Sequence, residues 1–276
     1  AAPVRRWLLI EQPGPWGRDA LLSSRLDADV AATLDGRCRT AGVRPMLIRR
    51  VGRTPAGAAR RFCLADSRPG SERLDWGEYV VDADLLGIDL ATPHPTAAPA
   101  AGPPTYLVCT HSRHDACCAI RGRPVARALA GLRPGQVWEC SHTGGDRFAA
   151  NVVVLPHGLY YGTVTPDAAE DLVLATESGL VLPALLRGRS ALPPAVQAAQ
   201  HHARAATGDR RIDALLPQQV DQVDEATWRV HLSGPQRPLQ VTVRSRISAP
   251  LPRLTCAAGA RTQRVTTYEL VELRQG

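Results

Sequence analysis

Residues Thr105 to Asn151 read TYLVCTHSRHDACCAIRGRPVARALAGLRPGQVWECSHTGGDRFAAN, and they hold four of the seven cysteines and three of the eight histidines. Tyr106, Leu107 and Val108 form a short apolar run that predicts a buried strand. Cys109 then falls at its carboxyl end, where α/β folds place their chemistry. A polar loop leads to the adjacent Cys117 and Cys118. Pro124 suits the first turn of a helix whose Val125, Leu129 and Leu132 recur at helical spacing and share one apolar face.

A second strand over 136–140 runs into Ser-His-Thr-Gly-Gly-Asp, which sets His142 and Asp146 on either side of a Gly-Gly turn. Lacking a Cβ, those glycines accept positive φ and let the backbone approach a bulky bound group such as a metal cluster. Two loops, each following a strand, thus offer Cys109 with Cys117 or Cys118 from one side and His142 with Asp146 from the other. Thiolate and imidazole in one site suit zinc or an iron–sulfur cluster.

Outward from this stretch, composition bounds the rest. The chain has 276 residues, 44% of them hydrophobic, enough for one large domain or two small ones. Net charge is +7, yet every one of the 33 basic residues is arginine, they are scattered, and only 4% of residues are aromatic. Base-stacking platforms are therefore poorly supplied, and nucleic acid is not the expected partner; a basic face for an acidic redox partner is. No apolar run approaches the about 18 residues that span a bilayer, and no secretory pattern opens the chain, so a soluble, cytoplasmic protein is expected. An odd number of cysteines in a chain this long argues against a disulfide scaffold and for reduced thiols, some of them ligands.

Before the central stretch, RWLLIE (6–11) predicts a strand and Gln12-Pro-Gly-Pro-Trp-Gly17 a rigid turn packing Trp16 on the core. Leu26, Val30 and Leu34 predict a helix ending near Gly42, followed by strands at 45–51, 61–65 and 76–81 and an Ala/Pro/Thr-rich linker over 91–104. After it come a hairpin around Pro156-His-Gly158 and a helix over 166–178; a helix over 194–206 and strands at 227–233, 239–244 and 266–273 complete the chain. His201 and His202 point about 100° apart on their helix and form no pair. Cys38 and Cys63 are expected as small buried thiols. The organisation expected is an α/β lobe (1–100), a second α/β lobe carrying the ligand loops (101–186) and an α+β extension (187–276), without a clean internal repeat.

Cys109-x8-Cys118 followed by His142-Thr-Gly-Gly-Asp146-Arg-Phe-Ala resembles the sucrase/ferredoxin-like family, and Trp7 to Gly17 looks like that family's amino-terminal segment. The resemblance implies thioredoxin-like lobes and one 2Fe-2S cluster held by Cys109, Cys118, His142 and a fourth residue. It also implies a ferredoxin that passes single electrons to and from a redox partner protein such as a flavoprotein reductase, rather than a demonstrated catalyst. Better-known members carry His-x3-His where this chain has Asp146, so the fourth ligand is Asp146, Cys256 or Cys140, and Cys117 competes with Cys118. The alternatives are a thiol oxidoreductase or a zinc protein using the same loops. No carboxylate pair identifies a glycoside hydrolase.

Overall fold

The computed structural model describes residues 1–52, 59–90, 102–234, 236–251, 256 and 263–275. Its first half runs β1 (Arg6–Glu11), α1 (Ala28–Ala41), β2 (Val43–Arg50), β3 (Arg60–Asp66) and β4 (Arg73–Tyr79). β1 pairs parallel with β2 and antiparallel with β3, and β3 pairs antiparallel with β4. The second half repeats this plan with β5 (Thr105–Cys109), α2 (Ala116–Leu132), β6 (Val137–Cys140), β7 (Val152–Leu155) and β8 (Leu159–Tyr161). A duplication that leaves no repeat in the sequence is thus plain in the strand pairing. α3 (Ala169–Glu177) and β9 (Leu186–Arg189) follow, β9 pairing with β8. The boundary expected at 186/187 falls inside β9; most of the expected linker, 91–101, lies outside the described residues.

The halves join where β2 meets β6 antiparallel through three pairs, Ile48–Cys140, Arg49–Glu139 and Arg50–Trp138, giving one nine-stranded mixed sheet. The overlap involves the carboxyl end of β2 with that of β6, so the carboxyl ends of β1, β2, β5 and β6 converge mid-sheet.

Strand alternation sorts the apolar residues onto two faces. Leu8 and Ile10 pack with Val30 and Leu34 of α1, and Tyr106 and Val108 with Val125 and Leu129 of α2. The residues between them, Trp7, Leu9, Leu107 and Cys109, enter one cluster that spans both halves with Trp138 and Tyr160. The sheet curls around that cluster until its far edges meet: Glu72, just before β4, forms an ion pair with the buried Arg189 of β9, and the Val4 amide donates to the Ser190 carbonyl at 2.8 Å.

α2 corrects the sequence expectation. It begins at Ala116, eight residues before Pro124, because Asp115 caps it, its side chain accepting from the Cys117 amide; Pro124 lies inside the helix. The proline removes one donor without stopping the helix. α4 (Pro194–Thr207) packs on a separate antiparallel sheet of β10 (Pro217–Gln222), β11 (Thr227–Leu232), β12 (Leu239–Ile247) and β13 (Thr266–Gln275). β10 was not expected: PQQVDQ is largely exposed at the sheet edge and carries little apolar alternation. No helix among the described residues is long and apolar enough to cross a membrane.

The edge-closing ion pair has a pH signature. Burial alone would raise the Glu72 carboxyl, but the His157 ring 3.8 Å away, the residue's own backbone amide and Arg189 override it and lower its pKa from 4.5 to about 2. A carboxylate depressed in the folded state stabilises the fold above its unfolded pKa, and that stabilisation is lost as pH falls from about 4.5 towards about 2. Glu72→Gln is expected to cost about 2 kcal/mol at neutral pH in urea denaturation. The difference from the parent should shrink through that acid window; an equal deficit at both pH values would show that the pair is not its source.

Candidate metal centre

Cys109 ends β5 and is fully buried; Cys118, third residue of α2, is buried beside it. Helix and strand approach this closely because residue 122 is glycine: a Cβ there would lie 2.2 Å from the Cys109 carbonyl oxygen. From the loop after β6 come His142 and Asp146, the latter opening a short 3-10 turn. The sulfurs of Cys109 and Cys118 and a ring nitrogen of His142 all lie within 4.8 Å of one another. Cys118 donates to Asp146 Oδ1 at 3.2 Å, so all four expected residues meet.

The loop is built to hold this shape. Gly145 has φ of +82°, and Arg187 of β9 packs so tightly on it that a Cβ would lie 2.3 Å from its guanidinium. Arg187 donates to the Gly144 carbonyl at 3.2 Å and to Asn151 Oδ1 at 2.7 Å, while Asn151 Nδ2 donates to the Gly145 carbonyl at 3.0 Å. Arg44 of β2 donates to the His142 carbonyl at 2.8 Å, so the first half also anchors the loop.

The group shares protons in an ordered way. A hydrogen bond from Cys118 and another from His142 hold the Cys109 thiol well below its usual range despite burial. Cys118 moves the opposite way, chiefly because it is the donor to Cys109 and secondly because it is buried. Burial would lower His142, yet Asp146 and Cys109 outweigh it and raise the imidazole to about 9; Asp146 is correspondingly lowered against its own burial. Cys109 and Asp146 are thus biased towards their anionic forms and Cys118 and His142 towards their protonated ones; a metal would take both sulfurs as thiolates and the imidazole as a neutral ligand. His142 Nδ1 lies 3.0 Å from Asp146 Oδ1, but the ring orientation misses hydrogen-bond geometry, leaving a buried nitrogen unsatisfied. Two sulfurs, an imidazole and a carboxylate are donors of the kind that hold a metal or an iron–sulfur cluster.

The other candidates separate. Cys117 points away from the group and forms a disulfide with Cys256, and Cys140 is buried with its thiol raised by desolvation. Cys38 and Cys63 are buried free thiols, as expected. Trp16 packs in the first half's core, and its loop meets the ligand loop where the Gly17 carbonyl lies 2.6 Å from His111 Nε2. His114, which the sequence reading passed over, stacks on His142 with ring centroids 3.6 Å apart and reaches Asp146 Oδ2 at 3.7 Å. Its position three residues after His111 in the same polar loop is the signal the sequence offers.

A family model described as sucrase/ferredoxin-like matches residues 1–188. No curated protein and no solved structure matches the chain.

Gly122→Ala tests the helix–strand approach: the methyl group must displace the Cys109 carbonyl. It is expected to cost about 1–3 kcal/mol in thermal or chemical denaturation and to weaken metal retention. Unchanged stability would mean that α2 can retreat without loss.

Proposed function

Because the chain belongs to the sucrase/ferredoxin-like family, we propose that it binds one 2Fe-2S cluster through Cys109, Cys118, His142 and Asp146 and passes single electrons between protein partners. The observation that carries this is the convergence of two sulfurs, an unsatisfied buried imidazole nitrogen and a carboxylate at the carboxyl ends of β5 and β6. Its counterpart in the fold is the repeated β-α-β-β-β plan, which we take as two thioredoxin-like lobes sharing one sheet. When bound, the cluster supplies a one-electron couple, with imidazole raising the potential above that of all-cysteine ligation. Asp146, as an anion in place of a second imidazole, offsets part of that rise by favouring the oxidised state.

The surrounding residues hold the donors and exclude water. Arg187, Asn151 and Arg44 fix the His142–Asp146 loop, and His114 covers His142 while its charge state faces the Asp146 carboxylate. The excess of arginine suits an acidic partner such as a flavoprotein reductase, with the basic surface steering encounter. Zinc is the second reading, since Cys109, Cys118 and His142 bring three donors of a tetrahedral ion within 4.8 Å of one another. Colour and metal analysis of purified protein decide between them: red-brown protein containing iron supports the cluster, and colourless protein with stoichiometric zinc overturns it.

Two variant series sharpen the assignment. Cys109→Ala and Cys118→Ala are each expected to abolish cluster binding, while Cys38→Ala and Cys63→Ala, which lie away from the loops, leave the absorption spectrum intact. A normal spectrum in Cys118→Ala would remove that sulfur from the ligand set.

Asp146→His exchanges an anionic ligand for a neutral one and should raise the reduction potential while adding a second imidazole whose proton couples to the electron. Asp146→Ala should lose or destabilise the cluster. Potentiometry finding both variants intact and unshifted would take Asp146 out of the ligand set.

A further inference from the structure

Beyond the cluster, and independent of it, we propose that Cys117 and Cys256 form a second redox centre, a reversible cystine that takes two electrons from a protein dithiol. The residues are 139 positions apart, yet they are disulfide-bonded with Cα atoms 6.2 Å apart, within the roughly 4.4–6.8 Å that a cystine spans. The Asp115 carboxylate lies with both sulfurs in a group whose donor atoms are all within 4.8 Å of one another. That group shares no residue with the four-donor centre, although Cys117 and Cys118 are neighbours on the first turn of α2. The helix start separates them: Asp115 Oδ1 accepts from the Cys117 amide at 2.8 Å, Cys117 stays half-buried at the outer side, and Cys118 turns into the core. The remaining five cysteines are buried and free, so this pairing is selective.

Exposure sets the order of exchange. Cys256 is exposed and Cys117 is not, so an incoming thiolate meets Cys256 Sγ first. Its attack forms a mixed disulfide with Cys256 and breaks the protein S–S bond; Cys117 leaves as a thiolate and takes up a proton. The partner's second thiol, on losing its proton, attacks its own sulfur in the mixed disulfide and releases Cys256, which is protonated in turn. Two electrons and two protons have then passed from the dithiol to the cystine, leaving two protein thiols and one disulfide in the partner. Closed, the bond ties Cys256 to the helix that carries Cys118; open, that tie is gone.

The test is differential alkylation of the full-length protein, purified under air, before and after treatment with a reduced thioredoxin. Peptide mapping should find Cys117 and Cys256 in one cross-linked peptide that opens on treatment, with two further thiols alkylated. The closed form should run faster on a non-reducing gel. Cys117→Ser and Cys256→Ser should each lose the cross-link and the mobility difference. Cys256 is on the surface, so its variant keeps the test valid should Cys117→Ser fold poorly. Both cysteines alkylated without reduction, a cross-link inert to the dithiol, or stoichiometric zinc bound by the pair would overturn the proposal. Iron-free protein with an intact, reducible cross-link would sink the cluster reading alone; iron-loaded protein with Cys117 and Cys256 free would sink this one alone.

Discussion

Everything at the centre of this molecule depends on the short antiparallel seam between β2 and β6. Three backbone pairs are a slender joint for two halves, and side chains reinforce it. Arg49 donates to Glu139 across the seam at 2.7 Å, Thr110 donates to the same carboxylate at 3.0 Å, and Arg50 holds the buried Glu11 at 2.8 Å. Guanidinium–carboxylate pairs with little solvent access cost much to break singly, because each leaves a desolvated charge behind. The same residues brace the loops: Arg49 also lies over the Trp16 ring, 4.5 Å from its centroid. The seam therefore does more than join sheets, because its overlap at the carboxyl ends decides that the loop after β1 and the two ligand loops face one another.

Inside that convergence, burial and polarity are kept in balance by reciprocal bonding. Thiol, carboxyl and imidazole groups would each be costly to bury alone. Together they compensate one another: Cys118 donates to Asp146 at 3.2 Å, and Arg44, Arg187 and Asn151 hold the loop that carries His142. β5, α2 and the braced glycine loop position all four side chains.

Much of the centre was legible in the sequence because chemistry-bearing residue types are rare and their spacing is local. Cys109 at a strand end, Cys118 eight residues beyond the intervening loop's start, and His142 with Asp146 around two glycines could each be placed from short-range rules. The start of α2 could not, since Pro124 is a stronger local signal than Asp115, and only the observed cap shows which one governs. A start at Pro124 leaves Cys117 and Cys118 in a loop where direction is free, whereas on a helical turn neighbouring side chains diverge, Cys118 towards Cys109 and Cys117 towards Cys256. The duplicated plan, the curl that brings Glu72 to Arg189, and the meeting of Cys256 with Cys117 are long-range facts, carried by pairing and not by periodicity. His114 escaped notice because a histidine in a polar loop has many uses, and only the 3.6 Å stack on His142 selects one.

The two halves share a plan but not a task, and this shapes how the centre meets the outside. The first half's loop has no cysteine and instead lays Trp16 edge-on against His111, ring centroids 6.0 Å apart, closing that flank. The sulfurs of Cys109 and Cys118 have no exposure at all, while His142 and His114 keep 22% and 36% of their side chains in contact with solvent. The stacked imidazoles are thus the window of the site. On the proposed function, an electron entering or leaving there would cross an aromatic edge, and its tunnelling distance would be set by how flatly another protein can lie against two rings.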